Sequence, residues 1–335
     1  MMRVAVIGVG SMGRNHVRVY TEMPEVELVA VVDANPTAGE QIAHRYHVPY
    51  YTDVCEMLEK ERPDAVSVAV PTSLHYTVAK QVLEAGCHVL VEKPIASTLE
   101  DAEDLICTAD RLDRILMVGH IERFNPAIIE LKRRLEAGEL GQIFQINARR
   151  LGPFPTRISD VGVVMDLAPH DLDIMRYLTG SEVANIYART KHKLSSNQDD
   201  LFVGIINFND DIIGLLEINW LTPTKIRELY VTGMYGMFRV NYLSQDLYFY
   251  ENAEKNGSNW TTLSLLRGVS EGEVKQFAIH KKEPLRGELE AFIACVQGNC
   301  AQHVNGKDAK AALQLTMGLL ESADTGQVKI LDLEL

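Results

Sequence analysis

The segment Gly8-Val9-Gly10-Ser11-Met12-Gly13 follows the short apolar run RVAVI and precedes helix-forming sequence up to about Tyr20. That order of strand, glycine turn and helix restricts the chain more than any other stretch. In G-x-G-x-x-G the first glycine permits a tight turn, the second admits a ligand close to the backbone, and the third lets helix and strand pack closely. The helix start at Ser11 and Met12 offers backbone N–H groups and the positive end of a dipole, which suit a diphosphate. A second apolar run, VELVAVVD, closes on Asp33, 20 residues after Gly13. A carboxylate there can accept both hydroxyls of an adenosine ribose and repels a 2′-phosphate, which favours NAD over NADP. His16, one turn into the helix, is expected to pack against the sheet rather than to bind a ligand.

The alternation then continues, with helical patterns near residues 37–46, 54–60 and 99–112 and strands at 49–51, DAVSVAV, HVLVE and 115–118. Strands alternating with helices of this length predict a doubly wound parallel sheet, an α/β Rossmann domain over residues 1–120. Ligands bind beyond the carboxyl ends of such strands. Pro71, Thr72, His75, Glu92 and Lys93 all fall at that edge, and Lys93 is expected where a cofactor meets a substrate.

From residue 121 the pattern changes. A helix over 127–138 and a strand over 142–150 lead into a proline-rich loop and then MDLAPHDLDIMRYLTG. On a helix Asp166 and His170, four apart, share a face, with Asp173 near it. Strands NIYARTKH, LFVGIINF, DIIGLLEINW, IRELYVTG, GMFRVNY and DLYFYE follow without intervening helices, then helices over 284–297 and 307–322 and a last strand, VKILDLEL. This predicts a second, α+β domain over residues 121–335, built on a large open, mainly antiparallel sheet. One face of so large a sheet needs a cover, and a second subunit is the expected one.

A net charge of −13 argues against nucleic acid as a partner. Charges or glycines break every apolar run well short of a membrane span. The five cysteines are scattered, with no C-x-x-C, so a cytoplasmic location without disulfides, and no metal site, is expected. Residues 121–157 carry seven Lys/Arg against four Glu, a local excess of three positive charges. Lys132, Arg133 and Arg134 end a helix and serve its dipole. Arg123, Arg149, Arg150 and Arg157 are candidates for bidentate contact with diphosphate.

Together GVGSMGRNH, VDANP, PTSLHYTVA and VEKPIA resemble the Gfo/Idh/MocA oxidoreductase family. The resemblance implies an NAD-dependent dehydrogenase acting on a CH–OH group and pairing into a homodimer or homotetramer through the C-terminal sheet. Lys93 matches the lysine of that family's E-K-P motif. D-x-x-x-H with Asp three residues on matches its second motif, in which Asp and His line the substrate pocket opposite the lysine. GHIERFNPA and RLGPFPTRISDVGVVMDLAPHDLDI look like the branch that oxidises C3 of UDP-N-acetylhexosamines, of the UDP-N-acetylglucosamine type, to a 3-keto sugar for later amination. His170 is then the expected general base, oriented by Asp166, while Lys93 places and polarises the hydroxyl; Lys93 as the base stays open. Arg123, Asn125, Arg157 and Asp173 are candidates for holding the sugar nucleotide. Two alternatives remain: a dehydrogenase of a free polyol or sugar such as inositol or glucose, and a non-catalytic dinucleotide sensor.

Overall fold

The first strand, β1 (Met2–Ile7), is buried from Val4 onward because helices cover both faces of its sheet. The computed structural model describes residues 1–154, 162–194, 199–252, 271–299 and 304–331. It divides into two units, Met1–Phe124 with Glu283–Gln314, and Asn125–Lys282 with Leu315–Leu335.

In the first unit β1 leads to α1 (Ser11–Thr21), β2 (Val26–Val32), α2 (Pro36–Tyr46), β3 (Tyr50–Tyr51), α3 (Val54–Glu61) and β4 (Ala65–Val68). After a 3-10 turn (Thr72–Leu74) come α4 (His75–Glu84), β5 (His88–Glu92), α5 (Leu99–Arg111) and β6 (Leu116–Gly119). The strands pair in parallel in the order β3-β2-β1-β4-β5-β6. The order reverses between β1 and β4, which makes their carboxyl ends the switch point where such sheets bind ligands. The helices start where the sequence supplies caps. Asn35 takes the Ala38 N–H at 3.3 Å ahead of Pro36, Asp53 takes the Glu56 N–H at 2.8 Å, and Thr98 takes the Asp101 N–H at 3.1 Å.

The expected division at 120/121 differs from this one mainly at the far end of the chain. Residues 283–314 cluster with the first unit, not the second. In α8 (Pro284–Val296) the residues Leu285, Leu289 and Phe292 form one apolar stripe, and the helix buries it against α1 and a second 3-10 turn, Ile121–Phe124. Burial of that stripe, at roughly 2 kcal/mol for each large side chain, decides where the helix belongs. The division falls inside α9 (Gly306–Thr325).

The second unit holds α6 (Pro126–Glu136), β7 (Ile143–Pro153), α7 (Val163–Thr179), β8 (Val183–Lys191), β9 (Leu201–Phe208) and β10 (Ile213–Asn219). β11 (Leu221–Gly233), β12 (Gly236–Asn241), β13 (Asp246–Asn252), β14 (Glu271–Phe277) and β15 (Lys329–Ile330) complete it. One sheet takes all nine strands in the order β14-β13-β12-β11-β7-β10-β9-β8-β15. It is mainly antiparallel, but β10 lies parallel to β7, because the chain passes through α7, β8 and β9 before returning beside β7. Alternation is clean. Phe202, Ile206, Leu216, Ile218, Ile146, Ala148, Leu229 and Val231 face the core with α6 and α7. On the other face Arg149 binds Glu217 at 2.8 Å, and Glu228 binds Arg239 at 2.6 Å, beside the exposed apolar side chains of Val203, Ile205 and Ile213.

Arg150, next to outward-facing Arg149, turns to the core face and is buried. Its Nε lies 2.6 Å from Asp171 Oδ2 and its Nη2 lies 3.0 Å from Oδ1. No helix among the described residues is long and apolar enough to cross a membrane, no metal-binding cluster is found among them, and their four cysteines are free thiols. Removing one partner of a buried bidentate pair strands the other charge. Asp171→Ala is therefore expected to lower stability by roughly 3 kcal/mol in a denaturant melt. Arg150→Met/Asp171→Leu should recover most of that loss, and equal stability of wild type and Asp171→Ala would contradict the assignment.

Candidate active site

At the end of β1 the backbone leaves no space for side chains. A Cβ on Gly13 would stand 1.8 Å from the Gly8 carbonyl oxygen, and one on Gly8, whose φ is +85°, would stand 2.6 Å from the Ala69 oxygen. These two glycines let α1 close onto β1 and let the ends of β1 and β4 approach. Gly10 differs: a Cβ there would meet nothing within 4 Å. Open space faces the backbone at the position where the motif requires a phosphate to approach. The first ladder bond of α1 runs from Arg14 N–H to the Gly10 oxygen at 3.2 Å, so Met12 and Gly13 present their N–H groups ahead of the helical ladder.

Asp33 is fixed from two sides. Val9 N–H donates to Oδ2 at 2.7 Å and Asn35 N–H donates to Oδ1 at 2.8 Å. The carboxylate thus joins the glycine turn to the end of β2, and each oxygen keeps a lone pair for a ribose hydroxyl. Its negative charge opposes a 2′-phosphate. An open backbone at Gly10, first-turn N–H groups and this carboxylate together fit NAD.

The β4 and β5 ends carry the rest of the edge. Pro71 precedes the 3-10 turn that Thr72 opens after β4, and Ser97 Oγ donates to the Thr72 oxygen at 3.4 Å. His75 is buried, with Nδ1 2.7 Å from the Pro94 oxygen and Nε2 2.9 Å from the Val70 oxygen. Both ring nitrogens are thus engaged by the chain itself, tying the loop after β4 to the loop after β5. Burial lowers the pKa of this ring and outweighs the two carbonyls, which act in the opposite direction.

Glu92 ends β5 and Lys93 follows it, and the Lys93–Pro94 peptide is cis. Glu92 Oε1 lies 2.9 Å from Nε2 of His16, which is wholly buried. Burial alone would raise the Glu92 pKa; the His16 bond and the charges of His16 and Lys93 prevail, and it is held low. His16 packs beneath the sheet edge as its place on α1 predicts, but its carboxylate partner was not legible in the sequence. Beside it Tyr20 Oη and Ser67 Oγ, both buried, lie 2.8 Å apart. Lys93, partly buried, is therefore preceded by a residue held by His16 and followed by one held by His75.

In the second unit α7 carries Asp166, His170 and Asp173 at i, i+4 and i+7, on one helical face. Asp173 is buried, and Asp166 and His170 are partly buried. Asp171 points away from that face, to Arg150. Pro169 removes the ladder bond to the Met165 carbonyl in the turn just before His170.

The remaining sequence candidates are mostly engaged. Arg149 and Arg150 have the carboxylate partners described above. Arg123, buried, donates from Nη1 to Asp308 at 3.1 Å. Asn125 caps α6: its side-chain oxygen takes the Ala127 N–H at 3.1 Å and its amide donates to the Tyr242 oxygen at 3.1 Å. Arg157 lies outside the described residues.

Residues 2–120 match the model of an oxidoreductase family with an NAD-binding Rossmann fold, Gfo/Idh/MocA, and residues 128–239 match that family's C-terminal domain. The chain is 29% identical over 322 residues to UDP-N-acetylglucosamine 3-dehydrogenase of Acidithiobacillus ferrooxidans, covering 95% of this chain and 97% of that protein. It is 28% identical over 346 residues to scyllo-inositol 2-dehydrogenase (NAD⁺) of Bacillus subtilis, covering 99% and 97%. A solved structure of the Acidithiobacillus enzyme superposes with a TM-score of 0.86 at 26% identity, covering 97% of this chain and 98% of that one. The chain therefore belongs to the Gfo/Idh/MocA family of oxidoreductases, with an NAD-binding Rossmann domain as the core of its first unit.

Proposed function

We propose that the protein is an NAD-dependent dehydrogenase that oxidises the C3 hydroxyl of a UDP-N-acetylhexosamine, of the UDP-N-acetylglucosamine type, to the 3-keto sugar. The observation that carries this reading is the 29% identity to a UDP-N-acetylglucosamine 3-dehydrogenase, which spans 95% of the chain and so includes both units. The 28% identity to an inositol dehydrogenase over 99% of the chain favours the second reading, a free cyclitol or sugar as substrate.

NAD, when bound, supplies the hydride acceptor. Lys93 binds the reacting hydroxyl oxygen and stabilises the alkoxide that develops as the proton leaves. His170 accepts that proton, and Asp166, one turn earlier on α7, orients the ring. Arg123, Asn125, Asp173 and Arg157 are the candidates for holding the sugar nucleotide. A homodimer or homotetramer through the outer face of the nine-stranded sheet accompanies the reading, supported by the exposed Val203, Ile205 and Ile213.

Two experiments test it. UDP-N-acetylglucosamine, UDP-N-acetylgalactosamine, their C6-carboxylate forms, glucose and the inositols are offered singly with NAD⁺, and NADH formation is followed. Reduction with at least one UDP-N-acetylhexosamine and not with free sugars or cyclitols is the expected result; activity with the cyclitols alone selects the second reading. Lys93→Ala and His170→Ala are each expected to lower turnover by roughly 10²–10⁴-fold, while NADH affinity by fluorescence titration stays within a few-fold of wild type. Near-wild-type turnover in both variants would remove the assigned roles.

A further inference from the structure

The sequence of α8, PLRGELEAFIACV, places a glutamate inside the apolar stripe made by Leu285, Leu289 and Phe292. Glu288 is completely buried, and neither side-chain oxygen has a hydrogen-bond partner among the described residues. Buried carboxylates are ordinarily paired with a cation or hydrogen-bonded. Here the nearby charge acting on Glu288 is another carboxylate, Glu92.

Titratable groups sit on the elements packed with α8, and His120, buried after β6, directly precedes the turn Ile121–Phe124 that α8 covers. α1 contributes His16 and Tyr20, and its rim carries the ion pairs Arg18–Glu283 and Glu22–Arg286. The end of β5 contributes Glu92 and Lys93, and His75 of α4 acts on Glu92 from the other side. The turn Ile121–Phe124 contributes Glu122 and Arg123, the latter bound to Asp308. Glu92 itself has little freedom: His16 holds Oε1, and a Cβ on Gly119 would stand 3.0 Å from Oε2. His16 Nδ1 is buried and has no partner among the described residues.

We propose that Glu288 is a positioning residue for Lys93: a buried, unpartnered carboxyl on the helix packed against α1, whose His16 holds Glu92, that helps keep Glu92 and with it the Glu92–Lys93–Pro94 turn in place. The proposal rests on the role given to Lys93 above. An ionised Glu288 would set a second negative charge against Glu92 in a space that excludes water, and Glu92 could relieve the repulsion only by leaving His16. Burial first, then the charge of Glu92, holds the Glu288 pKa well above the ordinary carboxylate range.

A pKa raised on folding contributes stability that is complete below the unfolded-state value and is lost as pH rises through the folded-state value. Glu288→Gln keeps shape and neutrality and removes the titration. The melting temperature of wild type should therefore fall relative to Glu288→Gln as pH rises above the ordinary carboxylate range, by about 2 °C per pH unit, until folded Glu288 ionises. Glu288→Met gives the same comparison should the glutamine variant fail to fold. Transmission to the turn is read from the ¹⁵Nζ and ¹³Cε resonances of Lys93, assigned by their loss in Lys93→Ala. In wild type they should shift as pH passes the point where the melting gap stops widening, which is where folded Glu288 ionises, and in Glu288→Gln that step should be absent.

A melting gap that does not change with pH overturns the neutral carboxyl. A gap that opens while the Lys93 resonances titrate identically in both proteins overturns the positioning role. Neither measurement uses a substrate, so failure of UDP-N-acetylhexosamine oxidation is scored separately.

Discussion

A lysine at the end of a strand is useful only if the strand's end holds still, and here two buried histidines hold it. His16 reaches from α1 to Glu92, the last residue of β5, and His75 reaches from α4 to the Pro94 carbonyl just beyond Lys93. Both contacts are shielded from solvent, so they are stronger than the same bonds at a surface. They also couple the lysine to the cofactor turn. α1, which carries His16, is the helix whose start follows Gly10, and it seats against β1 only because Gly13 has no side chain. The residues that form the dinucleotide turn and those that hold Lys93 therefore belong to one packed body, the first unit.

Much of the first unit was legible because its determinants are local. Glycine spacing, the carboxylate after β2 and the apolar runs each fix a short piece of chain, and strands buried on both faces announce themselves as continuous runs. The return of α8 was not legible, because its apolar stripe says that it must pack but not on what. Glu288 carried a signal, a glutamate in the middle of that stripe, whose meaning depends on Glu92, nearly two hundred residues earlier in the chain. His16 was readable as buried, while its bond to Glu92 depends on tertiary structure.

The second unit shows the same limit. Alternating strands were readable, but β14 was not, since Glu271, Glu273, Lys275 and Gln276 give an edge strand no apolar alternation. The parallel pairing of β10 with β7 depends on the path of the chain, not on either strand's residues. Arg149 and Arg150 looked alike as phosphate candidates. Strand alternation sends them to opposite faces, where Glu217 and Asp171 take them up. In contrast, the Asp166, His170 and Asp173 face of α7 follows from helical spacing alone.

The proposed oxidation takes hydride from C3 of a UDP-activated N-acetylhexosamine. UDP-N-acetylglucosamine carrying deuterium at C3 and nowhere else tests it most directly, with the reduced cofactor analysed by mass spectrometry and NMR. The deuterium is expected on the nicotinamide ring, with the 3-ketone as the sugar product. NADH formed without deuterium, or a labelled sugar recovered unchanged under conditions where another alcohol reduces NAD⁺, would contradict it.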